Sequence, residues 1–107
     1  MRNGRCYAAD FIDGLPLRSQ KKLVRLIETV TAFENGPFDL RNEQKFKHVG
    51  EDIFELKSDQ VRLLLFIEER RRLVVTHGSL KKTQRTPPAE IARARGLMRE
   101  YRQEVRG

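Results

Sequence analysis

The side chains with chemical potential in this sequence are mostly cations. Lys57, Arg62, Lys81, Lys82 and Arg85 lie in one stretch of the chain, with His77 among them. Arg62 interrupts the apolar run from Val61 to Ile67 (VRLLLFI). A charge there is costly unless it reaches water, an acid or an anionic ligand. Two readings follow: Arg62 pairs with Glu55 or Asp59 across a hairpin, or it meets a bound anion. Lys81-Lys82-Thr83-Gln84-Arg85 precedes the start of a helix, and basic and hydroxyl groups beside a helix N-terminus suit a phosphate. The plainer reading of that segment is a basic surface loop. His77, near the end of a strand, is structural or a phosphate ligand.

Such a set is sufficient for cutting RNA without a metal. A 2′-hydroxyl attacks the adjacent phosphate once a base takes its proton. Cations stabilise the pentavalent phosphorane, and an acid protonates the leaving 5′-oxygen. A lysine whose pKa is depressed by neighbouring cations can act as the base. The same residues also suit simple phosphate binding, so the chemistry is permitted rather than specified.

Other chemistries lack their residues. No P-loop, GxGxxG, GxSxG or HExxH pattern occurs. His48 and His77 are far apart and have no acidic partner at ligand spacing, so neither a metal nor any other cofactor is expected. The single cysteine, Cys6, excludes an intrachain disulfide and a cysteine-based zinc site.

The charge distribution points the same way. The chain of 107 residues carries 22 Lys and Arg against 15 Asp and Glu, a net of +7. From Arg70 onward there are eleven Lys and Arg against three acids, a net of +8, leaving −1 for the remainder. A basic half on a small domain is the footprint of a polyanionic partner. There is no signal-peptide pattern, and no apolar run approaches the ~20 residues of a membrane span. A cytoplasmic protein of one domain, 1–107, without a membrane partner, is expected.

The elements that must position these residues are legible in outline. Arg5 to Ile12 reads as a first strand. Pro16 suits the first turn of a helix over Leu17–Phe33, whose apolar positions Leu23, Leu26, Ile27, Val30 and Phe33 have helical spacing. Its opposite side, with Arg18, Lys21, Lys22, Arg25 and Glu28, reads as solvated. Asn35-Gly36-Pro37 ends that helix, and a loop runs from Phe38 to about Val49. Asp52–Ser58 alternates as a strand, with Phe54 and Leu56 on one face and Ile53, Glu55 and Lys57 on the other. After a tight turn at Ser58-Asp59-Gln60, Val61–Ile67 is a central strand covered on both faces. A charged turn, Glu68–Arg71, leads to a strand over Arg72–Ser79. Thr86 as cap and Pro87 as first residue start a final helix, with Glu90 in its first turn. Ile91, Ala94, Met98, Tyr101 and Val105 form its apolar stripe. The expected class is α+β: a small, mainly antiparallel sheet in the order β-α(α)-β-β-β-α, with a helical layer on one face.

Three segments carry a resemblance: Ile53–Lys57 (IFELK), Val61–Phe66 (VRLLLF), and Val74–Pro87 (VVTHGSLKKTQRTP) with Glu90-Ile91-Ala92-Arg93-Ala94 behind it. Together with Phe11–Pro16 and Asn35–Phe38, over roughly residues 8 to 102, the chain resembles the phage-derived, HigB-type branch of the RelE toxin superfamily. The resemblance implies a RelE-like fold. It also implies a type II toxin that cuts mRNA on the ribosome, and an antitoxin partner of helix-turn-helix type. By position it implies that Arg62 holds the scissile phosphate and that Lys57 or Lys82 moves protons. Lys47, His77, Lys81, Thr83 and Arg85 would bind RNA. On that reading Arg62→Ala abolishes cleavage and leaves folding intact. The sequence departs from the pattern in having no Tyr between Tyr7 and Tyr101. It has Ser79 where the pattern has Phe, and Val61 at a usually aromatic position, where a change in base stacking is expected. Alternatives are a ParE-like toxin that inhibits a protein such as gyrase without cleavage, and an inactive nucleic-acid-binding phage accessory protein.

Overall fold

The computed structural model describes residues 7–34, 36–40, 42, 44–68, 72–82 and 85–106. Two helices come first, α1 (Tyr7–Asp13) and α2 (Leu17–Ala32), followed by a 3-10 segment at Gly36–Leu40. Four strands follow: β1 (Phe46–Gly50), β2 (Ile53–Ser58), β3 (Val61–Glu68) and β4 (Arg72–Leu80). Helix α3 (Pro88–Arg106) closes the chain. The strands form one antiparallel sheet in sequence order. The class is α+β, consistent with a small RelE-like fold.

The sheet needs two covers because β3 is apolar on both sides. Val61, Leu63 and Leu65 face a core built with Leu23, Phe46 and Leu56, onto which Phe11, Ile12, Leu15, Leu26 and Ile27 of the first two helices and the turn between them pack. Leu64 and Phe66 face the other way, onto Ile53, Ala94 and Met98. The helices therefore flank the sheet on both faces, not on the one face expected from sequence. A central strand with no polar side leaves no face free for water.

Two further expectations are corrected. The segment read as a first strand, Arg5–Ile12, is helical from Tyr7 onward; residues 5 and 6 lie outside the described residues. Ala8, Phe11 and Ile12 stand three and four apart, and packing one such stripe on the sheet stabilises a helix. The fourth strand comes instead from Phe46–Gly50, inside the segment read as a loop. Its two apolar residues carry little strand signal alone. Pairing with β2, Phe46 opposite Leu56 and His48 opposite Phe54, makes it an edge strand.

Helix α2 runs as expected to within a residue, with Leu23 and Val30 buried and Arg18, Lys21, Lys22, Arg25 and Glu28 exposed. Helix α3 starts at Pro88, one residue later than read. Ala94, Leu97 and Met98 are its buried positions, while Val105 is exposed. Among the described residues no helix is long and apolar enough to cross a membrane.

Candidate nucleic-acid interface

Register decides which charges meet. Lys57 lies opposite Arg62, and Arg62 opposite Ser79; one step along, Lys47 lies opposite Glu55, Glu55 opposite Leu64, and Leu64 opposite His77. Directly opposed residues share a face. Two adjacent rows, polar except at the buried Leu64, thus cross the sheet on the α3 side, just beyond the start of that helix. A β-bulge at Thr76 makes this possible, because Leu64 pairs with His77 and Leu65 with Val75. The extra residue inverts the alternation. Val75 therefore enters the core with α1 and α2, while His77 turns to the polar face. The Thr76 hydroxyl donates to the Leu64 carbonyl at 3.0 Å, closing the bulge.

Glu55 is the hub of the polar face. It is 1% exposed, and its carboxylate meets the Arg62 Nε at 2.8 Å and the Lys57 Nζ at 3.4 Å. The Thr86 hydroxyl donates to the same oxygen that faces Arg62. Arg62 is equally buried. The cross-hairpin acid beside Arg62 is Glu55 and not Asp59. Removing either partner leaves a buried charge uncompensated. With Arg62 buried against Glu55, Arg62→Ala is expected to destabilise the fold rather than leave it intact.

His77 is buried beside this hub, with its Nε2 at 2.5 Å from the Glu90 carboxylate. Burial holds its pKa below the ordinary histidine value, outweighing the pull of Glu90, with Arg93 adding to the depression. A neutral ring donating through Nε2 to Glu90 satisfies this geometry. His77 thus ties β4 to the first turn of α3 and is not presented to solvent. Thr86, read as a helix cap, spends its hydroxyl on Glu55 instead.

Two clefts flank the Lys57–Arg62 pair. One, of about 450 Å³, is lined by Asn42, Gln44, Lys45, Lys57, Asp59 and Lys81. The other, of about 500 Å³, is lined by Arg62, Ser79, Leu80, Lys82, Pro87 and Glu90. Lys57, Arg62, Lys81 and Lys82 are thus brought together. Lys47 is exposed on the edge strand in the next row, and Arg85 is exposed after the loop; neither lines these two clefts. Thr83 lies outside the described residues. The small side chain of Ser79, where the family pattern has Phe, leaves the second cleft open. Val61 points to the opposite face and is 2% exposed in the core, so its replacement of an aromatic residue does not touch this site. Tyr101 packs on Phe66, ring centroids 5.4 Å apart, away from both clefts.

The arrangement can bind phosphate and place ammonium groups beside it. Sequence reasoning missed Lys45, Asn42, Gln44 and Asp59 as lining residues. Nothing in a local pattern marks them, because the hairpin and the segment before β1 meet only in the folded chain.

The family model described as phage derived protein Gp49-like (DUF891) matches residues 10–99. This chain belongs to the Gp49-like family. The family is one of RelE-like, toxin-like proteins. No curated protein matches the chain. The matched span of this Gp49-like protein runs from α1 through most of α3, and so includes both clefts and the Glu55 hub.

Proposed function

We propose that this Gp49-like protein is the toxin of a type II toxin–antitoxin pair and cuts mRNA on the ribosome. The observation that carries the reading is the convergence of Lys57, Arg62, Lys81 and Lys82 on two adjoining clefts at one end of the sheet. In the proposed reaction the 2′-oxygen attacks the scissile phosphorus as its proton passes to a base. The bond to the 5′-oxygen breaks, and that oxygen takes up a proton, giving a 2′,3′-cyclic phosphate and a 5′-hydroxyl end. Lys57 or Lys82 serves in proton transfer. Lys81 and Lys82, which reach the surface, hold the phosphate and stabilise the phosphorane, where preorganised cations contribute most. Arg62 acts from behind, its guanidinium held by Glu55, and adds to the positive field. The antitoxin, a helix-turn-helix protein, restrains the toxin in the cytoplasm.

The test maps mRNA 5′-ends after brief induction. The wild-type chain is expected to arrest growth and to generate new 5′-hydroxyl ends inside reading frames. A Lys81→Ala, Lys82→Ala variant, folded by circular dichroism, is expected to lose both effects. Growth arrest without new ends would sink the ribonuclease and favour a protein target. Unchanged cutting by the double variant would remove the two lysines from the site.

A further inference from the structure

The basic cleft does not stop at the Lys57–Arg62 pair. A third cleft, of about 330 Å³, is lined by Lys22, Arg25, Leu26, Thr29, Lys45, Ser58 and Asp59. It shares Lys45 and Asp59 with the cleft that Lys57 and Lys81 line. Three hollows therefore follow one another around the tip of the β2–β3 hairpin, from the start of α3 to the exposed side of α2. Cations line every one of them. Among the described residues that line the middle and outer hollows, Asp59 is the single acid. Its carboxylate meets Lys22 Nζ at 2.8 Å, and the neighbouring Lys22 ammonium holds its pKa below the usual carboxylate value.

We infer that these hollows form one track for a single RNA strand, and that Lys22, Arg25 and Lys45 hold backbone phosphates outside the cutting cleft. Lysines and arginines with few acids among them repel one another, and a phosphate chain relieves that repulsion. Strand continuity favours RNA as the occupant, because the track opens into the cleft where the phosphodiester is proposed to react. The amides of Asn42 and Gln44 in the middle hollow can donate to and accept from a base edge. The basic side of α2 thus becomes a binding surface rather than a merely solvated one. This inference rests on the proposed RNA-cutting function.

The experiment measures binding of short and long single-stranded 2′-O-methyl oligonucleotides, which lack the attacking hydroxyl, across a salt series. The proteins are the full wild-type chain, Lys22→Ala with Arg25→Ala, Asp59→Asn, and Lys81→Ala with Lys82→Ala. Each released counterion adds to the dependence of log affinity on log salt, so losing two phosphate contacts should flatten that slope by about 1.4 for a single strand. The Lys22→Ala, Arg25→Ala variant is expected to show this flattening with the long oligonucleotide only. Asp59→Asn is expected to tighten long-oligonucleotide binding. Asn tolerates the left-handed backbone that Asp59 adopts (φ 53°), so this change spares the turn. Unchanged slope and affinity in that variant and in Asp59→Asn, with binding lost in Lys81→Ala, Lys82→Ala, would overturn the track and leave the proposed function standing. Wild type that binds neither oligonucleotide and cuts no mRNA would overturn both.

Discussion

Glu55 holds three groups at once: the guanidinium of Arg62, the ammonium of Lys57 and the hydroxyl of Thr86. A carboxylate 1% exposed is costly unless its neighbours offset the solvation it loses, and here two cations and a hydroxyl surround it. Truncation to Glu55→Ala strands Arg62 in the interior without a counter-charge. We expect a loss of about 3–5 kcal/mol in urea unfolding, the range for breaking one side of a buried ion pair. Glu55→Gln keeps the volume and an acceptor for Thr86, so its loss should be smaller. Equal losses for the two variants would mean that the charge contributes nothing. Arg62 could be recognised in the sequence, because a charge inside VRLLLFI demands a partner. Glu55 was visible only as one of two candidates. Choosing it required the register that sets β2 against β3.

At the scale of elements, β4 carries two features that no periodicity reveals. One is the bulge at Thr76, which sends Val75 and His77 to opposite faces although they stand two apart. The other is Gly78, where an added methyl group would press into the ring of Phe11 and against Leu63. That close approach seats α1 on the sheet. Gly78→Ala should cost about 1–3 kcal/mol, the range for overpacking a filled site. Gly96 is the opposite case. It lies within α3, and a methyl group there would meet nothing within 4 Å. Gly96→Ala should therefore raise stability by about 0.5–1 kcal/mol, the helix penalty of glycine. Thermal or urea denaturation of the pair gives opposite signs if this account holds. A stabilising Gly78→Ala would show that α1 does not sit where described.

At the scale of the whole molecule, His77 and Glu90 link the sheet to α3, and that link has a pH signature. Burial disfavours the charged imidazole, so the folded group titrates below the ordinary value of 6.5. Between the folded value and 6.5 the unfolded chain binds a proton that the folded chain resists. Stability should be full above about pH 6.5 and should fall as pH drops through that window. His77→Gln removes the titration. Melting temperature plotted against pH should lose part of its acid slope in this variant, and identical slopes would show that His77 does not titrate differently on folding.

The sequence by itself determined much at this scale. The α+β class follows from two amphipathic helical stripes and an apolar strand, all short-range patterns. The excess of +8 from Arg70 onward follows from composition, and composition alone makes a polyanion the expected partner. Only the tertiary structure decided the rest. The helical Ala8–Ile12 stripe and the short β1 strand depend on the surfaces they pack against. The clustering of Lys45, Lys57 and Lys81 around one cleft depends on which turns and strand ends come together. Such contacts join residues distant along the chain. Their energies depend on distance in space, and sequence spacing encodes that distance only within a single helix or strand.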